Sequence, residues 1–157
     1  MKSRGLDALI GEHALFAGMS PDYCDLIGGC ARNVRFDKDA YLFREGEPAD
    51  QFFLIRHGRV ALELLAPGRG PIRFLTLNPG EVAGLSWLVP PYRWPYDARA
   101  LELIRAVSID ATCLRRKAEE NHDFGYEMMK RLMAMLMQRL HAAQLQVLDV
   151  YGAGSHG

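Results

Sequence analysis

From Val34 to Ile109 the apolar residues fall in short runs separated by Gly, Pro, Asn or Asp. Val34 and Phe36 alternate with polar neighbours, Tyr41 to Phe43 form the next run, and residues 44 to 48 (REGEP) read as a turn. Phe52 to Ile55 and Val60 to Leu65 flank His57-Gly58, and residues 67 to 71 (PGRGP) turn the chain again. Ile72 to Leu77, the turn Asn78-Pro79-Gly80 and a run from Leu101 to Ile109 complete the series. Short runs with turn residues at every break predict strands, and this many predict a small barrel or roll.

The flanks carry helical spacing instead. Leu6, Leu9 and Ile10 make a short apolar face, and Ser20 is placed to cap a helix with Pro21 at its first position. Tyr23, Leu26, Ile27 and Cys30 continue that face, although Gly28 and Gly29 leave its end open. The helical zone is expected to reach about Asn33. Beyond the roll, Asp110 is placed to cap a helix through Cys113 and Ala118. A last helix is expected from about His122 to Tyr151, with Gly152 as its terminating residue and a frayed tail after it.

The last helix has the cleanest periodicity. Met129, Met133, Leu136, Leu140, Ala143, Val147 and Val150 alternate spacings of four and three, a seam suited to a parallel partner helix. A homodimer through this helix is expected; the alternative is a seam buried within one chain. A second stripe, Phe124, Met128, Leu132 and Met135, is placed to pack on its own domain. Five of the seven methionines lie between Met128 and Met137, where they either fill irregular gaps or form an adaptable peptide-binding surface.

Composition narrows the function classes. The chain has 157 residues, enough for one domain, and 49% hydrophobic residues, enough for a core. Lys plus Arg equals Asp plus Glu at 19 each, so net charge gives no case for nucleic acid or an anionic membrane. Arg115, Arg116 and Lys117 precede Glu119 and Glu120 and read as a solvated helix face. No stretch resembles a signal peptide or a membrane span, so a cytoplasmic location and no membrane contact are expected. Cys24, Cys30 and Cys113 include no CxxC pair and are expected as reduced, buried thiols. No metal site or cofactor is expected, because the histidines and cysteines lack ligand spacing. Asp22 with Asp25, Asp37 with Asp39, and Ser86 outside any GxSxG context form no catalytic set, so no enzyme is expected.

The order helix, strand-rich roll, long helix resembles the cyclic nucleotide-binding domain of the family that includes the catabolite activator protein. FREGEPADQFFLIRHGRVALEL, from Phe43 to Leu64, is similar to the family segment that opens on a Gly-Glu turn. LNPGEVAG, from Leu77 to Gly84, resembles the turn into the phosphate-binding cassette, and DARALELIRAVSID the strands that follow it. The resemblance covers about Leu6 to Tyr151. It implies a mainly β fold with flanking helices, a double-stranded β-helix or jelly-roll. Its zones are helices at 6–33, a roll at 34–109 and helices at 111–151.

The cassette itself, GLSWLVPPYRWPYDARA from Gly84 to Ala100, departs from the family pattern. Gly84 matches the first glycine, but Leu85 stands where the family's glutamate holds the ribose. Trp94 stands where its arginine holds the cyclic phosphate, and Pro95 where a small residue follows. Leucine accepts no hydrogen bond, tryptophan offers no guanidinium fork, and proline has no amide hydrogen. Trp87, Tyr92, Trp94 and Tyr96, stiffened by Pro90, Pro91 and Pro95, either stack on a flat or apolar ligand or fill the former pocket. Arg93 either reaches a ligand anion or pairs with Asp97, and the direction of Arg99 is open.

The expected function is a non-catalytic sensory or regulatory domain. It would bind a small ligand other than a typical cyclic nucleotide and signal through the dimerising helix. The candidate ligand residues are Gly84, Leu85, Ser86, Trp87, Arg93, Trp94, Tyr96, Asp97 and Arg99. The alternative is a structural or protein-interaction module with a filled pocket, and after it a protein that does bind cyclic AMP or cyclic GMP. With the sequence ending at Gly157, no helix-turn-helix and no direct DNA binding are expected.

Overall fold

The computed structural model describes residues 2–155. Eight strands fold into two four-stranded antiparallel sheets. They are β1 (Ala31–Phe36), β2 (Tyr41–Phe43), β3 (Gln51–His57), β4 (Val60–Ala66), β5 (Gly70–Leu77), β6 (Val82–Ala83), β7 (Asp97–Ala100) and β8 (Ile104–Asp110). One sheet runs β1-β8-β3-β6 and the other β2-β7-β4-β5. The jelly-roll-like β core expected from the sequence is therefore the core found. Val60 and Leu62 face Ala100 and Ala98 across the β4–β7 ladder, and all four are buried. In the other sheet, Phe52, Leu54, Val107 and Ile109 share one face across the β3–β8 ladder and are buried as well.

Among the described residues, four α-helices flank the roll: α1 (Lys2–Glu12), α2 (Pro21–Gly28), α3 (Ala111–Glu120) and α4 (His122–Ser155). Ser20 Oγ accepts from the Tyr23 amide at 3.4 Å and Asp110 Oδ1 from the Cys113 amide at 2.9 Å, so both expected caps form. On α4, Phe124, Met128 and Leu132 are buried against the domain and Met135 is half-buried. Among the described residues, no helix is long and apolar enough to cross a membrane.

Several local expectations change. The strand β1 starts at Ala31, because α2 stops at the Gly28-Gly29 pair and Cys30 already bonds back to Ile27. The expected run from Leu101 to Ile109 becomes a strand only from Ile104, in β8, because residues 101–103 turn the chain after β7 ends at Ala100. The intervening turn packs on Gly58, at φ +87°, where a Cβ would collide with the Leu103 carbonyl. The two-residue strand β6 carries too little pattern to be read. Helix α4 continues through Gly152, since a glycine inside a helix costs only about 1 kcal/mol relative to alanine.

Two expectations about side chains are overturned. Cys30 and Cys113 form a disulfide rather than reduced thiols, because the start of β1 and the first turn of α3 bring their Cα atoms to 5.7 Å. The Arg115–Lys117 segment is not simply a solvated face. Arg115 donates to the Trp87 carbonyl, and Lys117 Nζ donates to the Leu26 carbonyl at 2.7 Å. Cys24 is buried, as expected.

Candidate functional site

The cassette leaves β6 at Gly84, makes a single 3-10 turn at Ser86–Leu88, and returns into β7 at Asp97. It is held along its length by the turn at residues 44–48. The Gly46 amide donates to the Trp94 carbonyl at 2.8 Å, and the Trp94 amide donates to the Glu47 carbonyl at 3.1 Å. The Ala49 amide reaches the Tyr92 carbonyl at 2.7 Å. These bonds fix the backbone on both sides of Trp94 and leave its side chain one direction, inward.

Trp94 is 3% exposed. Its ring lies flat on Phe43, with centroids 3.9 Å apart and planes 12° apart. The far edge of the indole covers Gly84, whose φ is +102°; a Cβ there would lie 2.6 Å from Trp94 Cη2. The residue at the phosphate-arginine position thus occupies the floor of the cassette. Leu85 is half-buried against the same core, and Ser86 opens the 3-10 turn. Trp87 is 2% exposed and stacks on Phe52, centroids 4.6 Å apart. Its indole N–H has no hydrogen-bond partner among the described residues. Arg115 from α3 lies 4.6 Å from the Tyr92 ring centroid and bonds the Trp87 carbonyl, so α3 holds the cassette's outer wall.

The charged candidates go elsewhere. Arg93 is exposed and donates to the Gly46 carbonyl at 3.3 Å. Asp97, the partner expected for it, instead accepts from the Glu45 amide at 2.7 Å and from Arg44 Nε at 3.3 Å. As the first residue of β7 it faces the 44–48 turn, which gives it a backbone donor and a cation together. Arg99 lies opposite Ala61 on β4, on the face away from Ala98 and Leu62. It clamps Glu63 with two bonds, at 3.1 and 2.8 Å, and reaches Asp39 at 2.8 Å. Those carboxylates, Glu63 foremost, hold the guanidinium protonated well above its ordinary range.

A groove of about 740 Å³ opens beside the cassette, between β5 and α4. Phe74, Leu75, Met135 and Arg139 line it. Arg139 turns back into the domain and donates to the Val82 carbonyl. Burial lowers its tendency to hold a proton, against the favourable charges of Tyr96 and Glu81. Burial likewise raises the Tyr96 hydroxyl, and Arg139 opposes that shift. Tyr96 also packs edge-on against Phe74, centroids 5.2 Å apart. The sequence reading missed Arg139, yet Met128, Leu132 and Met135 extend at helical spacing to residue 139. The seam along α4 faces outward: Leu140 is 59% and Val150 71% exposed, and Met129, Met133 and Val147 are exposed as well.

Comparison with known proteins agrees with this fold. The family described as the cyclic nucleotide-binding domain matches residues 33–121. The chain is 25% identical over 149 residues to a CRP-like cAMP-activated global transcriptional regulator of Mycobacterium tuberculosis, covering 94% of this chain and 66% of that protein. It is 33% identical over 133 residues to the cyclic nucleotide-gated ion channel 2 of Arabidopsis thaliana, covering 78% of this chain and 18% of the channel. The chain thus spans just under two thirds of the regulator and under a fifth of the channel. Among solved structures, a putative cyclic nucleotide-binding protein of Geobacter metallireducens superposes with a TM-score of 0.76 at 26% identity, over 90% of this chain and 99% of that one. A domain from Methylobacillus flagellatus, at 17% identity and a TM-score of 0.78, shares the fold over 94% of this chain and 83% of that one. With the roll, cassette and flanking helices in the same order, the chain belongs to the cyclic nucleotide-binding domain family.

Proposed function

We propose that this domain regulates through protein contacts, foremost with a second copy of itself along α4, and that its own side chains close the cassette to a cyclic phosphate. The observation that carries this reading is Trp94, stacked on Phe43 and pressed against Gly84. Admitting a phosphate would require moving a buried tryptophan, at a cost of about 3–5 kcal/mol if its packing is lost outright. The entering anion would then meet neither the family's arginine nor its glutamate. The relatives named for cyclic nucleotides support a regulatory role, and Leu85 and Trp94 argue against carrying over the ligand.

The exposed seam supports the dimer. Apolar side chains at seven-residue spacing on an unpaired helix face bury well only against a similar helix. Light scattering of the wild-type protein and of Leu140→Asp tests it. The expected masses are a dimer and a folded monomer. An unchanged mass for a folded Leu140→Asp protein would remove α4 as the interface.

A second reading rests on the groove at Arg139. Its guanidinium bonds a neutral carbonyl in a lining that also offers Phe74 and Leu75, which suits a small apolar acid. Native mass spectrometry with a metabolite panel separates the readings: a bound acid lost in Arg139→Met favours the second, and none bound favours the first.

A further inference from the structure

We propose that Cys30–Cys113 is a reversible thiol–disulfide centre whose state sets how firmly α3 ties the cassette to α4. The bond joins residues 83 apart in sequence, one leading into β1 and the other in the first turn of α3. Both cysteines line an open cavity of about 570 Å³, with Asp50, Gln51, Ser108 and Asp110. That space admits the thiol end of a small reductant. Arg32 and the carboxylates of Asp50 and Asp110 give the cavity charges of both signs, and Asp110 already accepts from the Cys113 amide at 2.9 Å. Cys113 sits at the N-terminal turn of α3, where helix amides favour negative charge. The Lys117 ammonium packs against Gly29, the residue before Cys30, close enough that a Cβ on Gly29 would lie 2.5 Å from Nζ.

The chemistry is thiol–disulfide exchange with a low-molecular-weight thiol. Its thiolate attacks Sγ of Cys113, the more exposed of the pair, forming a mixed disulfide as the Cys30–Cys113 bond breaks and Cys30 leaves as a thiolate. A second thiolate attacks the small-molecule sulfur and releases Cys113. The protein gains two electrons, the two thiols leave as their disulfide, and their protons end on Cys30 and Cys113.

The consequence lies in what α3 holds. Arg115 grips the Trp87 carbonyl in the cassette, and Lys117 grips the Leu26 carbonyl in α2. At the other end, Ala118 packs so closely on α4 that a Cβ on Gly125 would lie 2.9 Å from its carbonyl. Reduction removes the covalent tether and leaves the polar ones. The domain stays folded while α3 loosens between the cassette and the root of α4.

The test uses the full chain equilibrated in reduced and oxidised glutathione, with alkylation mass spectrometry and amide hydrogen exchange. Alkylation after denaturation should modify one cysteine in the oxidised form and three in the reduced form, reversibly. Exchange in residues 111–120 and 86–92 should rise about tenfold or more on reduction, with β4 unchanged. The double variant Cys30→Ser, Cys113→Ser should match the reduced protein and ignore glutathione. If that variant does not fold, the oxidised and reduced wild-type proteins still decide. Three reactive cysteines in oxidised glutathione, a disulfide that survives excess reduced glutathione, or identical exchange in both states would each overturn the proposal.

Discussion

Trp94 lies flat on Phe43, ring centroids 3.9 Å apart, and between them they close the cassette. Phe43 ends β2 and Trp94 precedes β7, strands that pair with each other. The stack is therefore built into the sheet, and the backbone bonds from Gly46 and Glu47 hold it there. A cyclic phosphate held by this cassette would need open space at that point. Here the space is part of the core.

Gly84 reports on that packing. Gly84→Ala would place a Cβ 2.6 Å from Trp94 Cη2 at a φ of +102°, so it combines a clash with backbone strain. A loss of about 2–4 kcal/mol in urea unfolding is expected. In a Trp94→Leu background the same Gly84 change should cost less, because the atom that is struck is gone. Equal losses with and without Trp94 would mean that the ring does not press on Gly84.

Arg99 is a structural ion, not a ligand contact, in this account. Glu63 has a side chain only 4% exposed, and Arg99 supplies both of its charged bonds at 3.1 and 2.8 Å. Arg99→Met strands the buried carboxylate and should cost about 3–5 kcal/mol. The double variant Arg99→Met, Glu63→Leu should be markedly more stable than Arg99→Met alone. Unfolding curves that do not separate the two would refute the clamp.

His13 should make the protein acid-sensitive. Burial lowers its pKa from 6.5, partly offset by its contact with the Glu81 carbonyl. Nδ1 accepts from the Leu15 amide at 3.1 Å, which leaves Nε2 to donate to Glu81 at 3.3 Å. The unfolded chain therefore binds a proton more readily. This contribution is complete above about pH 6.5 and is lost as pH falls below it, by at most about 1.4 kcal/mol per pH unit. Urea midpoints between pH 7 and pH 5 should fall less steeply in His13→Asn. Parallel pH profiles would exclude His13 as the cause.

Cys113→Ser opens a loop of 83 residues. A loss on the order of 2–4 kcal/mol is expected under oxidising conditions, and close to none relative to the reduced wild-type protein. Denaturation with and without reductant measures both. No difference in either condition would mean that the bond does not constrain the chain.

The sequence made some of this legible and hid the rest for physical reasons. Ser20-Pro21, Asp110 and the stripe Phe124, Met128, Leu132 are local signals, and each lies where its spacing put it. The seam on α4 is equally local, and it faces outward. The Cys30–Cys113 bond was hidden, because no spacing rule reports that β1 and α3 meet. The Arg93–Asp97 pairing failed for a similar reason: proximity in sequence favoured it, but Arg44 and the Glu45 amide are brought to Asp97 by the sheet. The cassette frame identified Trp94 as out of place. Only the fold shows that Phe43 and Gly84 receive it.

Calorimetric titration of the oxidised full chain with cyclic AMP and cyclic GMP tests the closed cassette most directly. The account predicts no saturable binding at ligand concentrations up to about 1 mM, equivalent to less than about 4 kcal/mol of affinity. Saturable binding at micromolar concentrations would contradict it, because a phosphate would then be held where Trp94 now sits.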